Sequence, residues 1–126
     1  MSVGDAVLAA SARDPLHTAA CERFASRLPI VQTGMGWVSG AHLTAATCRA
    51  GGLGILASAT MTIEELRRAV LKVKERVPGA AFGVNLLPNQ PDLRERIDLL
   101  VHENVPVASF AGAPSKDVVA RLNDVG

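Results

Sequence analysis

What this chain lacks narrows its role first. It has no excess charge of either sign: 13 Lys and Arg face 12 Asp and Glu, for a formal net charge of +1. The signs are interspersed, so the basic stripe that meets a nucleic-acid backbone or an anionic membrane is missing, and neither partner is expected. Long apolar runs are missing too. The longest, around Ile55, holds about five or six residues where a bilayer span needs roughly 18 to 20. Met1 to Ala10 carry no basic block ahead of an apolar one, so no secretory signal is read and a cytoplasmic location is expected. Cysteine is scarce, and Cys21 and Cys48 have no CxxC spacing, which points to reduced thiols rather than a disulfide framework. His17, His42 and His102 have no Cys, Asp or His at ligand spacing, so no metal site is expected and no general base is visible. The motifs GxxxxGKS/T, HExxH and GxSxG do not occur.

What is present is packing material. The chain has 126 residues, within the range of one domain, and 48% of them are hydrophobic, too many for intrinsic disorder. Residues 1–13 are small and polar and read as a loose tail. Residues 14–28 read as an N-terminal helix, with Asp14 as N-cap, Pro15 at the first helical position and an end near Arg27. Four strand-helix units then follow. The first pairs a strand at Leu28 to Thr33 with a helix capped by Ser39 and running through Ala50, its inward stripe being Leu43, Ala46, Thr47 and Ala50. After the Gly51-Gly52 stop comes a strand at Leu53 to Ser58, apolar on both faces. Thr62 and Glu65 make a capping box for a helix whose stripe is Ile63, Leu66, Val70, Val73 and Val77, and Pro78-Gly79 ends it. A strand at Ala81 to Leu86, a helix from Asp92 striped by Leu93, Ile97, Leu100 and Val101, a strand at Pro106 to Phe110 and a helix from Ser115 to about Asp124 complete the series.

This α/β alternation without hairpin signals permits a small doubly wound sheet or half of an eightfold barrel. A whole (β/α)8 barrel takes about 250 residues. Residues 29–126 are therefore read as its N-terminal half, about four βα units, with Asp124-Val125-Gly126 resembling a helix C-cap before a fifth strand.

In parallel α/β folds the site lies beyond the strand C-termini. After the first strand, Gly34 and Gly36 let a flat ligand approach the backbone, although glycine there is also ordinary turn chemistry and Met35 alone reads as gap-filling core. At the third strand's end Asn85 can donate and accept toward a heterocycle, or satisfy loop backbone. Gly51-Gly52-Leu53-Gly54 precedes a strand rather than leading into a helix, so it is not a phosphate cradle. Trp37, the only tryptophan, either lines a pocket or plugs the space between loop and barrel. Glu64 and Arg68 form an i,i+4 pair on a solvated helix face.

Taken jointly, Pro29-Ile30-Val31-Gln32, Gly34-Met35-Gly36, Ser39-Gly40, Ala50-Gly51-Gly52-Leu53-Gly54, Thr60-Met61-Thr62 and Phe82-Gly83-Val84-Asn85-Leu86 resemble the nitronate monooxygenase (2-nitropropane dioxygenase-like) family over roughly residues 24 to 126. The resemblance implies a TIM-barrel oxidoreductase that uses non-covalent FMN and oxidises alkyl nitronates with O2. The Thr-Gly-Met-Gly-Trp form also looks like an actinobacterial subgroup similar to flavin reductases of CoA-ester intermediates in steroid catabolism. It follows that the small-molecule substrate is an alkyl nitronate or a CoA thioester. Carried over by position, the family's flavin contacts fall on Thr33, Gly34, Met35 and Asn85. One departure is that the family commonly has Ala-Pro-Met where this chain has Thr33-Gly34-Met35, which removes a fixed φ. The family's catalytic histidine and glycine-rich phosphate segments belong to the second half, and no histidine here sits in a matching motif. The leading expectation is thus the N-terminal part of an FMN-dependent oxidoreductase, inactive by itself.

Two other readings stand beside it. One is a non-catalytic half barrel whose open strand edges pair with a second copy, giving a homo-oligomer, or with a separate C-terminal half. The other is an open flavodoxin-like module, which would want a hydroxyl-rich loop where Gly34-Met35-Gly36 stands.

Overall fold

The computed structural model describes residues 14–125; the expected tail at 1–13 lies outside the described residues. The elements are α1 (Ala19–Phe24), β1 (Val31–Gln32), α2 (Ala41–Arg49), β2 (Leu53–Ala57), a 3-10 turn (Ser58–Thr60), α3 (Ile63–Arg76), β3 (Gly83–Leu86), α4 (Leu93–His102), β4 (Val107–Phe110) and α5 (Lys116–Asn123).

All four strands are parallel, in the order β1-β2-β3-β4. That order decides between the two architectures left open above. A doubly wound sheet reverses its strand order at a switch point, whereas a barrel adds each strand beside the last. The packing agrees, because one core joins the helices to one face of the sheet. Leu56, Val84 and Leu86 are fully buried there against Leu66, Val70, Val73, Ile97 and Leu100. With side chains alternating along each strand, the opposite face carries Leu53, Ile55 and Ala57, then Gly83 and Asn85, then Val107 and Ser109. A Cβ on Gly83 would touch Ile55 and Val107, which places these three on that face together. The chain is the first half of a TIM barrel.

Each helix follows from its sequence in a particular way. In α3 the capping box forms: Glu65 N–H donates to Thr62 Oγ1 (3.2 Å) and Thr62 N–H to the Glu65 carboxylate (2.7 Å). Leu66, Val70 and Val73 are wholly buried, each contributing about 1.5–3 kcal/mol. In α2 the stripe is turned from expectation. Thr44 and Ala45 are buried and Ala41 and Cys48 pack on the core, while Ala46 and Ala50 are exposed. The cause is Gly54, which faces the helix: a Cβ there would lie 2.4 Å from the Thr44 carbonyl oxygen, so the Thr44 side of α2 rides directly on β2. Gly51-Gly52-Leu53-Gly54 is therefore a helix stop and a packing surface, as its place before a strand implied.

Two N-termini also differ from expectation. Helix α1 starts at Ala19, because Asp14 instead closes a turn by accepting from Leu16 N–H (2.9 Å). Gly40, not Ser39, is the N-cap of α2, since the Ser39 hydroxyl is engaged in the preceding loop. Among the described residues no helix is long and apolar enough to cross a membrane.

Candidate functional site

The loops at the C-terminal ends of the strands form a rim. The segment Thr33–Trp37 after β1 is held by Ser39, whose fully buried hydroxyl accepts from Met35 N–H (2.9 Å) and donates to the Thr33 carbonyl (3.0 Å). Gln32 ties this knot to the sheet: its side-chain amide donates to Ile55 O (3.0 Å) and Ser39 Oγ (3.0 Å) and accepts from Thr47 (3.3 Å). Such polar groups fix a loop because each would be costly to bury unpaired.

The loop that carries Thr33, Gly34 and Met35 meets Asn85 through Gly34. Gly34 lies against Asn85, so closely that a Cβ on Gly34 would come within 2.6 Å of Asn85 Cβ and 3.3 Å of Leu56 O. Thr33 and Met35 flank that contact, and Met35 is 40% exposed, not gap-filling core. Asn85 Nδ2 donates to Ser109 Oγ on β4 (2.9 Å), which orients its amide on the sheet's inner face. The amides of Gly34 and Gly36 donate to no acceptor among the described residues.

Two further features were not anticipated. Trp37 is 91% exposed on this chain and adopts a left-handed backbone at φ 60°. Arg96 is 3% exposed and holds the turn after β2: its guanidinium donates to Ser58 O (2.7 Å), Met61 O (2.7 Å) and both Asp92 carboxylate oxygens (2.9 and 2.7 Å). Ser58 Oγ in turn donates to the Asn85 carbonyl (2.6 Å), so Arg96 braces the segment on which Asn85 rests. The signal was in the spacing: Leu93, Arg96, Ile97 and Leu100 follow the i, i+3, i+4, i+7 rhythm of a buried stripe.

Titratable chemistry is sparse here. The Arg96 hydrogen bonds hold the Asp92 carboxyl below its ordinary range. Burial pushes the Cys48 thiol up, and Cys21 is buried among backbone carbonyls, so neither is an exposed nucleophile. His17 lies by Glu22 (3.6 Å), His42 by Arg76 (2.6 Å) and His102 by Glu103 (3.2 Å), none against Asn85 or Gly34. No group of three or more His, Cys, Asp or Glu side chains is placed to hold a metal among the described residues.

A family model described as nitronate monooxygenase matches residues 18–97. The chain belongs to this family. Within the nitronate monooxygenase family it is 51% identical over 111 residues to two proteins named (3aS,4S,5R,7aS)-5-hydroxy-7a-methyl-1-oxo-octahydro-1H-indene-4-carboxyl-CoA dehydrogenase, from Mycobacterium tuberculosis and Rhodococcus jostii. Each match covers 88% of this chain and 31% of the relative, so the chain spans about a third of the length of these curated relatives. Among solved structures it is similar to FabK from Thermotoga maritima, with TM-score 0.81 and 29% identity over 86% of this chain and 35% of that one. It is also similar to a nitroalkane oxidase from Streptomyces ansochromogenes, with TM-score 0.74 and 31% identity over 86% of this chain and 40% of that one.

Proposed function

We propose that this half barrel supplies one wall of an FMN site in an oxidoreductase whose substrate is a CoA thioester with an alicyclic acyl group. The observation that carries the flavin reading is the contact of Gly34 with Asn85, which joins the loop after β1 to the end of β3 at the strand C-termini. The residues fit a flavin ring: backbone amides at Gly34 and Gly36, unpaired among the described residues, suit its carbonyl and ring-nitrogen edge, and the oriented Asn85 amide has an acceptor to spare for a ring N–H. FMN, when bound, carries the electrons of the reaction. This chain's part is to position the ring through Thr33, Gly34, Met35 and Asn85, and Ser39, Gln32 and Arg96 keep those groups in place.

None of Thr33, Gly34, Met35 and Asn85 can act as a base near neutral pH. Proton transfer therefore falls to a group outside this set, and the 126-residue chain by itself gives no sustained turnover. The substrate class rests on the two relatives' names at 51% identity. A second reading, oxidation of alkyl nitronates, is favoured by the likeness to the nitroalkane oxidase.

The test is an FMN titration of the full-length protein. Asn85→Ala should weaken FMN binding about tenfold, the worth of one good hydrogen bond, and unchanged affinity would remove the basis of the assignment. Turnover assays with an alicyclic CoA ester and with a nitronate then separate the two substrates.

A further inference from the structure

Tryptophan is among the costliest side chains to leave in water, and a left-handed backbone is a strained setting for any bulky residue. Trp37 combines both, at 91% exposure and φ 60°. The loop that presents it is not loose. Val38 and Ser39 N–H both donate to the Met35 carbonyl (3.0 and 2.8 Å), Trp37 N–H lies 3.4 Å from Thr60 Oγ1, and Gly36 packs so closely on Thr60 that a Cβ would come within 3.3 Å of its methyl. The backbone that presents the indole is thus fixed, two residues from Met35, on the rim.

Beside it runs a groove of about 300 Å³, lined by Trp37, Ala57, Thr60, Met61 and Glu65 among others. Its chemistry excludes one kind of occupant. No Lys or Arg lines it, and its one charge, Glu65, is anionic and already bonded to Thr62 N–H. A phosphate there meets no cationic side chain and faces the Glu65 carboxylate, so the charged handle of CoA is disfavoured. An uncharged carbon skeleton suits the indole and the half-buried Met61 beside it.

We infer that Trp37 is a substrate-contact residue that selects bulky alicyclic acyl groups by packing its indole against their rings, while the CoA handle lies elsewhere. This rests on the CoA-ester reading above and deepens it, since a small alkyl nitronate would have little to place against an indole.

The test uses full-length, FMN-loaded protein, with binding of cyclohexanecarboxyl-CoA and acetyl-CoA measured by calorimetry for wild type, Trp37→Ala and Trp37→Phe. FMN content and circular dichroism should be unchanged in both variants. The expected result is a roughly 10- to 100-fold weaker Kd for cyclohexanecarboxyl-CoA in Trp37→Ala, unchanged acetyl-CoA binding, and recovery of most of the loss in Trp37→Phe. The difference in tryptophan emission between wild type and Trp37→Phe should also shift to the blue as the cyclic ester binds. Equal loss for both esters, no loss for either, or an indole already shielded before ligand is added would overturn the inference while leaving the CoA-ester reading standing. Wild-type protein that binds neither ester would overturn that reading, and the inference with it.

Discussion

Gly34 and Asn85 are in contact across the ends of β1 and β3, with room for a hydrogen but not for a methyl group: a Cβ on Gly34 would sit 2.6 Å from that of Asn85. Gly34→Ala should therefore destabilise the protein by about 1–3 kcal/mol through overpacking and weaken FMN binding as the loop is pushed off β3. In Gly34→Ala/Asn85→Gly the clashing carbon is gone, so urea denaturation should show the two substitutions costing less together than their sum. Strict additivity would mean that the contact does not exist in solution.

Among the described residues Arg96 is the one buried cation, and it ties the start of α4 at Asp92 to the turn after β2 at Ser58 and Met61. Arg96→Met keeps most of the volume but leaves two carbonyls without their donor, and a loss of about 3 kcal/mol is expected. Because Ser58 bonds the Asn85 carbonyl, FMN affinity should fall as well, which a purely remote stabilising role would not produce. Chemical denaturation and FMN titration of the same variant check both expectations.

Acid should act through the same pair. Hydrogen bonds from Arg96 lower the Asp92 carboxyl, and those from Lys74 lower that of Glu103. A carboxyl lowered in the folded state contributes its full stability above its unfolded value, about 4, and loses it as pH falls through the lower folded value. The wild-type Tm should fall as pH drops from about 4 through the lower folded values. Asp92→Asn should be less stable at neutral pH and lose less on acidification, with Glu103 and the capping-box carboxyl of Glu65 supplying remaining slope. Parallel Tm-against-pH curves would rule the pair out as a source of acid sensitivity.

The start of α3 offers a cleaner stability test. Thr62→Ala removes the hydroxyl that accepts from Glu65 N–H, and about 1 kcal/mol should be lost. Thr62→Ser keeps the oxygen and should restore most of it. Thermal denaturation of the pair decides the matter.

How much of this was legible beforehand depended on how local the governing physics was. The α3 helix could be read because a capping box and an uninterrupted stripe from Ile63 to Val77 are local signals. The strand order could not, since a monotonic β1-β2-β3-β4 sheet and a reversed one can have the same alternating sequence. The facing side of α2 is not legible from its own stripe because Gly54, on the strand that follows, decides which side meets the sheet. Ser39 was read as a helix cap, a local role, but its hydroxyl reaches back to Thr33 and Met35 instead. At the rim, Gly34 and Asn85 could be singled out by residue type and position, yet their contact is tertiary. Arg96 was passed over because a charge on an apolar stripe looks like an interruption until its partners on the neighbouring loop are seen.

The most direct test of the whole account is a crystal structure of the full-length protein grown with FMN. The account predicts the isoalloxazine ring at the strand C-termini, against the backbone of Thr33, Gly34 and Met35 and within hydrogen-bond distance of the Asn85 side chain. A flavin seated away from Asn85, or a well-folded full-length protein that takes up none, would contradict it.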